Sequence, residues 1–175
     1  MKNFSELISI RRSHRKFTDE PVSDEQLQLV LRAALMAPSS KGLHACEMVV
    51  VRDRRTIAQL SRCKAQGSDF LIAAPVVVAV TGLPEVSDVW IEDASVAATM
   101  MLLQAEDLGL GACWVQVRER KDEEGRDAED NVRHLLKISN QSRVLCLIAI
   151  GHKGMERKPQ NEERLHWEKI KKTLN

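Results

Sequence analysis

Residues 88–117 read DVWIEDASVAATMMLLQAEDLGLGACWVQV, and this stretch decides the fold. From Asp88 to Leu108, the residues Ile91, Ala94, Ala98, Met101, Leu102, Ala105 and Leu108 recur on a wide apolar arc, which predicts a helix that must be covered on most sides. Gly109 follows as its C-terminal cap, since glycine accepts the left-handed conformation that ends a helix. Ala112 to Val117 then has the short apolar form of a strand. Gly109-Leu110-Gly111 is not a dinucleotide fingerprint: it follows a helix and precedes a strand, the reverse of what a pyrophosphate-binding turn requires.

On the N-terminal side, Met48 to Val51 and Pro75 to Val80 are β-branched runs that predict buried strands, with a helix from Arg54 to Leu60 between them. Ser23 with Gln26 forms a capping box that opens a helix carrying Leu27, Val30, Leu31, Ala34 and Leu35 at helical spacing until Pro38. Asn3 with Glu6 opens a first helix whose Phe4, Leu7 and Ile8 share one face. On the C-terminal side, Val132, Leu135 and Leu136 predict a helix and Val144 to Ile150 a strand. Four strands and five helices result. The segment Lys121 to Asp130 (KDEEGRDAED) is nearly all charged and reads as a solvated loop or helix start. After Gly151 the chain turns polar and basic, and only Leu165, Trp167, Ile170 and Leu174 offer apolar anchors. That is too little to fold alone, so this tail must dock on its own domain or on a partner subunit.

A length of 175 residues with 43% hydrophobic content predicts one globular domain spanning 1–175. The 26 basic and 25 acidic side chains leave a formal charge of +1, which makes no electrostatic case for nucleic acid. Tyrosine is absent and there are only three Phe and three Trp, few side chains for a base-stacking platform. Met1 runs directly into Lys2, Asn3 and Phe4 without an apolar signal region, and no stretch is long and apolar enough to span a bilayer, so a cytoplasmic protein is expected. Cys46, Cys63, Cys113 and Cys146 have neither C-x-x-C nor zinc-ligand spacing and are expected as free thiols, with no metal.

Arg11, Arg12, Ser13 and Arg15 form the densest set of anion-binding groups in the chain. Guanidinium forks bind phosphate oxygens bidentately and a serine hydroxyl adds a donor, so the segment suits a phosphomonoester. A solvated basic helix end accounts for the same residues. Pro38-Ser39-Ser40-Lys41-Gly42 is a polar loop between helix and strand, either a ligand-contacting loop on rigid supports or an ordinary connection. Asp93 lies on the apolar helix, where a carboxylate needs a partner or an altered pKa. His14, His44, His134, His152 and His166 are scattered, without an obvious spacing to a Ser or Cys nucleophile. The sequence contains no G-x-x-x-x-G-K-[ST], G-x-S-x-G or H-E-x-x-H, so the common NTPase, hydrolase and zinc-protease readings lack their residues.

Several of these segments, in this order and spacing, resemble the FMN-dependent nitroreductase family, in particular its short members. They are Arg11-Arg12-Ser13-His14-Arg15-Lys16-Phe17, Ala37-Pro38-Ser39-Ser40, Glu47-Met48-Val49-Val50-Val51, Ala74-Pro75-Val76-Val77-Val78, and Asp93-Ala94-Ser95-Val96-Ala97-Ala98 running on to Leu108-Gly109-Leu110-Gly111-Ala112-Cys113-Trp114-Val115. The resemblance implies an α+β fold with a central, mostly antiparallel sheet flanked by helices. It also implies an intertwined homodimer holding FMN at the subunit interface, with the 152–175 tail over the partner. It assigns Arg11, Arg12 and Ser13 to the FMN phosphate and ribityl chain, and Arg15 to the pyrimidine edge of the ring. Pro38, Ser39 and Ser40 would contact the ring from the opposite subunit, and Trp114, Val115 and Gln116 match the segment whose backbone N–H reaches flavin N5. Arg164 looks like the tail residue that returns to the phosphate, with Gly151 and Lys153 as helpers.

The implied activity is hydride transfer from NAD(P)H via FMN to a small organic acceptor, a nitroaromatic, quinone or enone, by ping-pong exchange. The flavin carries the chemistry, and no side chain need act as a dedicated general base. One departure bears on the acceptor: where the family has Asn-x-Gln-Pro-Trp, this sequence has Gly42-Leu43-His44-Ala45-Cys46, so a side-chain amide to the ring edge is missing or replaced. Competing readings are flavin binding with different chemistry (flavin destruction, reductive dehalogenation) or without turnover, and a nucleic-acid-binding domain using Arg11 to Lys16.

Overall fold

A computed structural model describes residues 3–172; Leu174, expected to help anchor the tail, lies outside the described residues. The elements are α1 (Phe4–Ile10), α2 (Asp24–Leu35), β1 (Cys46–Val51), α3 (Arg54–Leu60), β2 (Val76–Gly82), α4 (Trp90–Asp107), β3 (Leu110–Gln116), α5 (Ala128–Leu136) and β4 (Arg143–His152). Both expected N-terminal caps form. Asn3 accepts from Glu6 N–H, and Ser23 and Gln26 satisfy each other's backbone amides.

The strands make one sheet in the order β1-β2-β4-β3, with each adjacent pair antiparallel. Side chains alternate across it. Val76, Val78, Val80, Ile148 and Ile150 face α2 and α4, while Val77, Ala79, Leu147 and Ala149 face the side that carries α3 and α5. Every residue of β2 is buried, because helices cover both faces of this inner strand.

Two departures from the periodic pattern concern helices. On α2, Ala33 is buried and Leu35 is 65% exposed, so the buried stripe is shifted and Leu35 is left at the rim of a cleft. The long helix begins at Trp90, later than Asp88, with no side-chain cap at Val89. Its face toward the sheet is buried through Ala94, Ala98, Met101 and Ala105. Its other face, with half-buried Met100 and Leu103, shares a shallow apolar depression with Phe4 and Leu7, and Phe4 is 66% exposed. Residues 154–172 are exposed throughout, with the side chains of Leu165, Trp167 and Ile170 on the surface. The tail begins against its own domain, where Gln160 N–H donates to Ser9 O at 2.8 Å.

Candidate active site

Extended backbone sends successive side chains to opposite sides, and the segment after α1 sorts its residues this way. Arg11, Ser13 and Arg15 gather at Cys113 of β3. Burial pushes the Cys113 thiol up, while Arg15, the Ser13 hydroxyl, Arg11 and Lys64 pull it back. The Arg15 guanidinium carbon lies 5.8 Å from the centroid of the Phe70 ring. Lys64 is held below its ordinary value, first by burial and then also by Arg120. Lys64 and Phe70, which no sequence motif marks, thus join Cys113 of the quoted β3 segment at the candidate site. Packed cations of this kind are relieved by an anion.

The even-numbered residues have other partners. Arg12, expected beside the phosphate, donates from Nη1 to the carbonyls of Lys158 and Pro159, tying the tail down. His14 is buried, with Nε2 4.0 Å from Glu106 Oε2. Glu106 is also buried and accepts from Lys153 Nζ at 2.6 Å. Lys153, expected as a phosphate helper, therefore has its ammonium committed to Glu106. The His14 pKa is lowered by burial and then by Lys153, with Glu106 opposing.

Two glycines permit close approach. A Cβ on Gly111 would lie 2.8 Å from His14 Cβ, so only glycine lets the 11–15 segment rest on β3. Gly111→Ala is expected to displace that segment and cost about 1–3 kcal/mol through overpacking. Chemical denaturation measures the loss, and stability equal to wild type would mean that His14 relaxes freely. Gly151, also expected as a phosphate helper, is closely packed. A Cβ there would come within 2.6 Å of Pro75 Cδ and 2.9 Å of Phe17 Cδ1.

β3 is an edge strand of the sheet. Ala112 turns its carbonyl outward to His14 N–H at 3.0 Å, so by the alternation of an antiparallel ladder the amides of Trp114 and Gln116 face the same open side. Val115 buries its side chain in the core that faces α3 and α5. Trp114 Nε1 donates to Gln116 Oε1 at 2.9 Å, and Gln116 Nε2 donates to the Arg118 carbonyl at 3.0 Å, which fixes both side chains.

Pro38, Ser39 and Ser40 lie elsewhere, just before β1, with three strand spacings or about 14 Å of sheet between them and β3. Asp93 anchors this loop: Oδ1 accepts from Ser40 N–H at 2.9 Å and Oδ2 from the Ser87 hydroxyl at 3.2 Å. The carboxylate thus finds both partners within its own chain. Ser39 Oγ accepts from His44 N–H at 3.1 Å, and Lys41 and Gly42 take positive φ values of 53° and 65°. Arg164 sits on a short 3₁₀ turn, Glu162–Arg164, in the exposed tail.

A sequence model of the nitroreductase family matches residues 8–152, which include Arg11, Ser13, Arg15, the Pro38 loop and all four strands. The chain belongs to the nitroreductase family. Among solved structures, an FMN-dependent nitroreductase from Clostridium difficile R20291 is 41% identical, covering 97% of this chain and 98% of its own, with a TM-score of 0.93. A protein from Desulfovibrio desulfuricans solved in complex with FMN is 26% identical over 100% of this chain and 99% of its own, with a TM-score of 0.79. An NADPH-flavin oxidoreductase from Vibrio harveyi is 30% identical, covering 94% of this chain and 71% of its own length. No helix among the described residues of this nitroreductase is long and apolar enough to cross a membrane.

Proposed function

We infer that this nitroreductase is an FMN-dependent NAD(P)H oxidoreductase that reduces a small organic acceptor by ping-pong exchange, working as a homodimer. The observation that carries the reading is the convergence of Arg11, Ser13, Arg15 and Lys64 beside the open amides of β3. Cations and a hydroxyl suit a phosphomonoester and an electron-rich ring edge, and outward-facing N–H groups suit a ring nitrogen. When bound, FMN supplies reversible hydride acceptance at N5.

In this reading Arg11 and Ser13 hold the phosphate end, and Arg15 with Lys64 balances negative charge on the ring's pyrimidine edge. Trp114 or Gln116 donates its backbone N–H to the reacting face. The three intervening strand spacings favour a composite site, in which Pro38, Ser39 and Ser40 come from the second subunit. The apolar depression on α1 and α4 and the exposed tail are surfaces a second copy would cover. A nucleic-acid stripe would need the basic run on one face, whereas Arg12 is engaged by tail carbonyls and His14 is buried.

Purified protein is expected to be yellow, to release FMN on denaturation, and to bleach on addition of NAD(P)H. Initial-rate lines at several acceptor concentrations are expected to run parallel; intersecting lines would remove the ping-pong assignment. Arg15→Gln is expected to lower the flavin midpoint potential, because the reduced anion loses a counter-charge, and spectroelectrochemical titration measures it. An unchanged potential would clear Arg15 of that role.

A further inference from the structure

The run from Ser9 to Thr18 holds the tail as well as resting on β3. Thr18 N–H donates to His152 O at 3.0 Å and Gly154 N–H to Lys16 O at 2.9 Å, with Phe17 and Lys153 paired antiparallel between them. Gly154 permits the approach, since a Cβ there would lie 3.0 Å from the carbonyl carbons of Lys16 and Phe17. Farther along, the buried His14 ring faces the Met155 carbonyl, Arg12 Nη1 donates to the carbonyls of Lys158 and Pro159, and Gln160 N–H donates to Ser9 O at 2.8 Å. The tail is thereby fastened to the same run that carries Arg11, Ser13 and Arg15. Its seat is thin: a cleft of about 660 Å³ opens between run and tail, walled by Ile10, His14, Glu106, Glu156, Arg157 and Pro159, and residues 154–160 are exposed. Exposed hydrogen bonds with few buried apolar contacts mark a segment of low local stability, whose population a ligand shifts.

We propose that Arg12 is a positioning residue that couples flavin occupancy to tail seating, so that ordering one side of the 11–15 segment orders the other. The proposal rests on the flavin reading above, which places FMN on the side of Arg11, Ser13 and Arg15. Neighbouring side chains of an extended segment point opposite ways from one continuous backbone, so holding Arg12 fixes where Arg11 and Ser13 present their donors. FMN that meets a segment already ordered loses less conformational entropy on binding, and the seated tail supplies that order. The effect is reciprocal: whatever factor the seated tail adds to FMN affinity, bound FMN adds to tail seating.

The test is amide hydrogen exchange on the full chain, with and without saturating FMN, beside FMN affinity from fluorescence titration. In wild type, FMN is expected to slow exchange of Gln160 N–H by about fivefold or more, the lower end of ordinary coupling between sites. Ile138 N–H, which donates to Arg133 O after α5, serves as the distant control and is expected to change less than about twofold. Arg12→Ala is expected to weaken FMN binding by about fivefold and to cut the FMN effect on Gln160 below about twofold. Arg12→Lys, which returns a donor to the tail carbonyls, is expected to restore both. Gly154→Ala loosens the tail from its own side and is expected to reproduce both losses, which keeps the test open if Arg12→Ala does not fold. FMN that leaves Gln160 exchange in wild type unchanged, or slows Gln160 and Ile138 equally, overturns the proposal. So does an Arg12→Ala protein in which FMN slows Gln160 as much as in wild type. A wild-type chain that takes up no FMN removes the flavin reading itself, a distinguishable result.

Discussion

Arg11→Ala is expected to weaken FMN binding about 30-fold, equivalent to about 2 kcal/mol for a charge-assisted hydrogen bond to phosphate. Arg11 closes α1 through its backbone, with its N–H donating to Leu7 O at 3.0 Å, a bond alanine keeps. Its side chain shares the Cys113 neighbourhood with Ser13, Arg15 and Lys64, so truncation removes charge from the cluster and leaves the segment in place. Arg12→Ala supplies the internal contrast. It removes the donors to Lys158 and Pro159, and is expected to loosen the tail while changing FMN affinity less than Arg11→Ala does. Fluorescence titration of flavin-free protein measures both. An Arg11→Ala affinity equal to wild type, or a larger loss for Arg12→Ala, would reassign the phosphate to the other side of the segment.

That contrast marks where the sequence stops being legible. Arg11, Arg12, Ser13 and Arg15 read as one anion-binding group because composition ignores side. The extended backbone after Ile10 then splits them by parity, and parity matters only once His14 has a seat on Gly111. Local signals are legible in the sequence. α3 runs from Arg54 to Leu60 as expected, with Asp53 accepting from Thr56 N–H at its start. Gly109, at φ 78°, turns the chain from α4 into β3, which therefore begins at Leu110, ahead of Ala112. Contacts between distant residues were not legible. Asp93 meets Ser40 across 53 positions and Glu106 meets Lys153 across 47, and neither pair lies in a periodic pattern or spaced motif. Lys64 and Phe70 fall in the connection between α3 and β2, where no motif signals that the fold returns Phe70 to Arg15 and Lys64 to Cys113.

Glu106→Ala is expected to be the most destabilising single change in this region, by about 3 kcal/mol, because removing one partner of a buried ion pair leaves the other uncompensated. The Glu106 side chain is 4% exposed and that of Lys153 15%, so the ammonium has limited access to water through the neighbouring cleft. For a chain of this length the loss corresponds to a melting temperature lower by roughly 6–12 °C. Replacing both partners, as in Glu106→Leu with Lys153→Met, is expected to recover most of it, since an apolar pair leaves no buried charge. His14 adds a pH signature. Its folded pKa lies below the ordinary 6.5, from burial first and then Lys153, so the unfolded chain binds the proton more readily. The stability this buried neutral ring contributes is fully present above about pH 6.5 and is lost as pH falls from there toward the folded value. Glu106 is one of the groups raising that folded value, so without it the window of acid loss extends to lower pH. Urea denaturation between pH 5 and 8 reads both effects, with His14→Asn expected to flatten this part of the profile. A Glu106→Ala protein within 1 kcal/mol of wild type, with the same pH slope, would show that Lys153 is solvated rather than paired and that Glu106 does not set the charge balance around His14.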